Sequence, residues 1–119
     1  VFRLILDELL VTTRGALAAL FLDYEGETVG LVCDRDLNDH NLRILGAYQG
    51  IFLSQLRDLC KQVEAGEPER FKVEYSDTTV LSYDVKDGYY VVLLVDKTAN
   101  EGLAWKQLRV CREKLLGEM

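Results

Sequence analysis

Apolar and polar positions repeat with two periods along this chain, and each change of period marks an element. Residues 2–13, FRLILDELLVTT, set Phe2, Ile5, Leu6, Leu9 and Thr13 at helical spacing. Gly15, just after Arg14, suits a left-handed stop. ALAALFLDY, from 16, is apolar on both parities, as a strand covered on both faces is. YEGE makes a turn in which Gly26 supplies a positive φ, and TVGLVC returns as a second strand. After the polar loop DRDLNDHN, with Asn38 or Asp39 as N-cap, a helix runs to about Ala65, where Gly66 and Pro68 end it. At 1.5 Å per residue it is roughly 40 Å long.

Three strands follow. RFKVEYS alternates strictly, with Phe71, Val73 and Tyr75 on one side and Arg70, Lys72 and Glu74 on the other, the pattern of an edge strand with a charged face. A turn at Ser76 and Asp77 leads into TTVLSYDV, and KDG into YYVVLLVD, whose apolar run places it centrally. Thr98 and Glu101 have capping-box spacing before a last helix with the stripe Ala104, Trp105, Leu108, Cys111 and Leu115. The order α-β-β-α-β-β-β-α, with short turns between consecutive strands, predicts an α+β fold on an antiparallel sheet in one domain, 1–119.

The long helix carries more apolar surface than one sheet can cover. Leu42, Leu45, Phe52, Leu53, Leu56, Leu59, Cys60 and Val63 form one broad face, with Arg43, Arg57, Asp58, Lys61 and Glu64 roughly opposite. Ile44, Ala47, Tyr48 and Ile51 form a second sector, and such a patch on a globular domain marks a contact surface. Gly46 and Gly50 lie on the flank of the core face. Each costs about 1 kcal/mol against Ala inside a helix, so something approaches closely there: their own sheet, or a second subunit.

Charge and cysteine usage narrow the partners. The net charge is −6 and basic residues come in ones and twos, which argues against nucleic acid or an anionic membrane as partner. No apolar run reaches the roughly 20 residues of a membrane span. Cys33, Cys60 and Cys111 are isolated, odd in number and free of any C-x-x-C pattern, as core thiols of a cytoplasmic protein are. The first residue is Val, consistent with an excised domain or a processed chain.

Candidate chemistry is sparse. Asp23, Glu25 and Glu27 crowd the first turn, but side chains alternate in direction beside a tight turn and do not converge on one point. Asp34, Asp36 and Asp39 offer oxygen ligands without the central Gly and distal Glu of a calcium loop. His40 is the sole histidine, and Cys33 the only thiol it could pair with nearby. No P-loop and no G-x-S-x-G elbow occurs. The expectation is no catalytic residue, no metal and no cofactor.

With leading helix, hairpin, long helix, three strands and VVLLVDKTANEGLAWKQL in this order, nearly the whole length of the chain resembles the Roadblock / dynein light-chain family. The segment from Val95 to Trp105 carries the resemblance most strongly. It implies a three-layer sandwich (roadblock/longin/profilin-like): a five-stranded antiparallel sheet with the long helix on one face and both terminal helices on the other. It also implies a homodimer, or a dimer with a related Roadblock subunit. Central helices would pair through Ile44, Ala47, Tyr48 and Ile51, and third strands would join through Arg70, Lys72 and Glu74. The implied role is that of a non-enzymatic regulator or scaffold for a small Ras-like GTPase, similar to bacterial gliding-motility GTPase-activating proteins. Arg14, Arg35 and Arg43 are the arginines near the hairpin that could act on such a partner. Two other readings stay open: a structural subunit of a larger dynein-like or signalling assembly, and a small-ligand sensor with a sizeable interior cavity.

Overall fold

The computed structural model describes residues 1–34 and 36–119. Its elements are α1 (Phe2–Thr12), β1 (Ala16–Leu22), β2 (Thr28–Cys33), α2 (Asp39–Val63), β3 (Arg70–Glu74), β4 (Thr78–Lys86), β5 (Tyr89–Asp96) and α3 (Glu101–Gly117). The element order is the one the hydrophobic pattern predicts. The strands form one antiparallel sheet in the order β2-β1-β5-β4-β3. The apolar strand β5 is central, and charged β3 lies at an edge.

Burial follows from this layering. One face of the sheet packs Ala19, Phe21, Leu81, Val91 and Leu93 against Leu6 and Leu9 of α1 and Ala104, Leu108 and Leu115 of α3. The other packs Leu20, Leu22, Val80, Tyr90 and Val92 against Leu42 and Leu53 of α2. Every residue of β1 is buried, as its double-parity apolar run requires. Both layers hold buried apolar side chains, with partly buried ones at their margins. Among the described residues, no helix is long and apolar enough to cross a membrane.

Local chemistry sets the boundaries. The Asn38 side chain caps α2 by accepting from the Asn41 N–H at 3.0 Å. At its other end Glu64, rather than Gly66, first turns left-handed, with φ 55° and ψ 40°. Asp87 (φ 54°) and Gly88 (φ 84°) join β4 to β5, as a two-residue hairpin turn with positive φ at both positions demands. The capping-box expectation needs correction. Asn100 caps α3 by accepting from the Leu103 N–H at 3.0 Å, while the Thr98 hydroxyl donates to Asp96 at 2.6 Å in the preceding turn.

Candidate functional site

The helix wheel of α2 turns out rotated from the expected one. Leu42, Gly46, Gln49 and Leu53 are its buried residues, so the two glycines face the sheet. A Cβ on Gly46 would stand 2.8 Å from Leu22 Cδ2, and one on Gly50 only 2.4 Å from Tyr90 Oη. Of the two readings of this pair, packing on their own sheet is the one observed. Gln49 is fully buried, and its Oε1 accepts from the Ser82 hydroxyl at 3.2 Å. Arg57, expected on the outer side, is half-buried and reaches Asp84 of β4 at 2.7 Å.

This rotation exposes the far flank over its whole length. Ile44 is 43% exposed, Tyr48 54%, Ile51 50%, Leu59 52% and Val63 62%. Leu59 and Val63, expected on the core face, are therefore surface residues. The reason is length. The 25 residues of α2 span about 37 Å at 1.5 Å each. The helix crosses the strands, with Gly46 over Leu20 and Leu22 of β1, Gly50 over Tyr90 of β5 and Arg57 at Asp84 of β4, and five strands side by side are only about 20 Å wide. Beyond Leu53 no residue of α2 is fully buried, so the last turns overhang the sheet. Phe52, half-buried, joins the stripe through Tyr48, with ring centroids 6.5 Å apart. Ala47 sits at its margin, half-buried, its Cα 3.5 Å from where a Gly26 Cβ would lie.

The β3 edge has a defined polarity. The Glu69 carbonyl accepts from the Asp84 N–H, and the Tyr75 N–H donates to the Thr78 carbonyl, both at 2.8 Å. Odd-numbered backbone groups of β3 thus point to β4, and those of Arg70, Lys72 and Glu74 point outward, unpaired by the sheet. The Lys72 ammonium donates to Glu101 at 2.6 Å and to Glu74 at 3.3 Å. The Glu101 hydrogen bond, ahead of the Glu74 one, raises its pKa. On the α2 side of the same strand Phe71 packs at the core margin, Val73 is half-buried and Tyr75 is exposed.

The candidates for chemistry disperse. Asp23 is a turn residue: its Oδ1 accepts from the N–H groups of Glu25 at 2.9 Å and Glu27 at 3.0 Å. Glu25 and Glu27 point to solvent. His40 is exposed in the first turn of α2. Arg43 pairs with Asp39 at 2.7 Å, Arg14 is exposed, and Arg35 lies outside the described residues. No group of three or more His, Cys, Asp or Glu placed to hold a metal occurs among the described residues. Cys33 and Cys60 are only partly buried, against expectation; Cys111 is buried, which pushes its thiol up to about 12.

No known family profile matches the sequence, and no characterised protein matches it by sequence. Solved structures do match it in fold. The gliding protein MglB of Thermus thermophilus superposes with a TM-score of 0.86 at 19% identity, covering 97% of this chain and 85% of that one. A Roadblock/LC7 domain from Streptomyces avermitilis gives 0.85 at 13%, with coverage of 95% and 92%. MglC from Myxococcus xanthus gives 0.69 at 23%, with coverage of 99% and 98%. The three-layer α+β fold of the chain is that of Roadblock/LC7 domains.

Proposed function

We propose that the protein is a homodimeric, non-enzymatic, cytoplasmic regulator or scaffold that binds a small Ras-like GTPase and modulates its nucleotide cycle. One observation carries the dimer: the apolar residues of α2 from Ile44 to Val63 stand exposed, on a fold whose β3 is an edge strand. Five large apolar side chains exposed by two-fifths or more on one helix are an association surface. A second copy supplies its match by symmetry, because a two-fold axis sets the stripe against itself. The pairing surface then comprises Ile44, Ala47, Tyr48 and Ile51 with Arg70, Lys72 and Glu74, extended along α2 by Leu59 and Val63.

The GTPase reading rests on the resemblance of the sequence to gliding-motility regulators and on the fold shared with MglB and MglC. Mixing the protein with each small GTPase of its host, loaded with GTP or GDP, tests it. The expected result is co-elution with one of them and a changed hydrolysis rate. No complex and no rate change across the full set would end this reading.

A further inference from the structure

Two elements far apart in sequence, β3 and α3, bring three arginines to one place. Arg70 opens β3, and its guanidinium carbon lies 4.6 Å from the Trp105 ring centroid and 5.9 Å from that of Tyr83. Arg112 of α3 lies 5.2 Å from the Tyr83 ring. It is fixed there by donating from Nε to the Asp84 carbonyl at 2.5 Å and from Nη2 to the Val85 carbonyl at 3.4 Å. Arg109, three residues before Arg112 and hence on the same helix face, lines the same cleft of about 320 Å³. Tyr83 lines it and meets Trp105 edge to face at 6.1 Å.

The charges in this cleft are not balanced from within. Elsewhere cations meet carboxylates: Arg43 with Asp39, Arg57 with Asp84, Lys72 with Glu101, Lys114 with Glu8. Arg112 has Glu113 at 3.4 Å, but Arg70 and Arg109 have no carboxylate partner among the described residues. Two unpaired guanidiniums beside a third repel one another, and do so in a chain whose net charge is −6. A guanidinium stacked on an aromatic ring keeps its edge donors free and its plane fixed, so it loses little entropy on forming a bidentate bond.

We propose that this cleft binds a carboxylate carried by an acidic segment of a protein partner, with Arg70 and Arg109 as the donors. Glu69 and Glu113 line the same cleft, so a group of one negative charge is repelled less there than a doubly charged phosphate. The cleft lies on the α3 side of the sheet, opposite α2, and shares only Arg70 with the proposed pairing edge, so Arg109 tests it apart from the dimer and from the GTPase reading.

Trp105 is the only tryptophan, so its indole N–H gives one unambiguous resonance beside the site. Hexaglutamate, hexaglutamine and inorganic phosphate are each titrated into ¹⁵N-labelled protein. The expected result is a saturable shift of that resonance with hexaglutamate alone, weakened by high salt. Arg109→Gln, whose side chain has no protein partner to lose, should weaken the response about tenfold with the rest of the spectrum unchanged. Arg109→Lys, which keeps the charge but not the fork, should fall between. An absent shift, an undiminished one in Arg109→Gln, or an equal response to phosphate or hexaglutamine would overturn the assignment.

Discussion

The Tyr90 hydroxyl donates a hydrogen bond to the carbonyl oxygen of Gly46 at 2.9 Å. A buried phenol on the central strand thereby locks the helix above it, and it explains the glycine one turn further on. Only a residue without Cβ fits over the Tyr90 ring at position 50. The close approach seats α2 with Leu42, Gln49 and Leu53 inward and turns Tyr48 and Ile51 to solvent. The contact surface therefore depends on a fit at the opposite side of the same helix.

Gly50→Ala should destabilise the fold, although alanine is the better helix former by about 1 kcal/mol. The new methyl would meet Oη at 2.4 Å and Cζ at 3.0 Å, and overpacking of this kind costs about 1–3 kcal/mol. Denaturant unfolding measures the loss. In the double variant with Tyr90→Phe the penalty of Gly50→Ala should shrink, because the nearest atom is gone. An additive double variant would show that the contact is not what excludes a side chain.

Tyr90 also makes stability depend on alkaline pH. Burial, with a smaller push from the Asp23 charge, raises its phenol from 10.0 to about 12. Between these values the unfolded chain gives up a proton that the folded chain retains, so stability falls as pH rises. Below the lower value the contribution is whole. Raising the pH from near 9 to near 11 should lower the unfolding free energy of the wild type by roughly 1 kcal/mol more than it lowers that of Tyr90→Phe. Equal losses in both proteins would show that the phenol titrates normally.

The β3 edge predicts its own register. A two-fold axis normal to the sheet keeps each side chain on its face, so self-pairing centres on one residue. Centred on Lys72, it would set two ammonium groups directly opposite, which is destabilising. Centred on Val73, it sets Lys72 against the copy's Glu74 and Phe71 against its Tyr75. Val73 then faces its copy at a non-hydrogen-bonded position, with Cα atoms about 4.5 Å apart, within disulfide reach. With Cys33 and Cys60 replaced by Ser, mild oxidation should link Val73→Cys into a covalent dimer and leave Lys72→Cys largely unlinked. The reverse outcome would shift the register, and a dimer that links at neither position would remove β3 from the interface.

Much of the architecture was legible because period and burial coincide: doubly apolar β1 and β5, alternating β3, and Asn38 ahead of α2. The orientation of α2 was not. Glycine adds nothing to an apolar arc, so a wheel weighted by side chains moves away from Gly46 and Gly50, although they mark the closest approach to the sheet. Gln49 reads as polar and outward, yet Ser82 satisfies its oxygen inside. Leu59 and Val63 have the spacing of core residues, and only the reach of the sheet reveals that nothing lies beneath them. The arginine cleft had no local signal, since Arg70, Tyr83 and Arg109 meet only through the pairing of β3 with β4 and the packing of α3 on the sheet.

The central claim is that the outward stripe of α2 joins two copies. Sedimentation equilibrium of the wild type, Ile51→Asp and Leu59→Asp tests it most directly. Both positions are half-exposed in the single chain, so an aspartate there should leave the fold intact by circular dichroism, yet bury an unpaired charge in the dimer. The account predicts a dimer for the wild type and folded monomers for both variants. A wild-type monomer, or folded variants that still sediment as dimers, would contradict it.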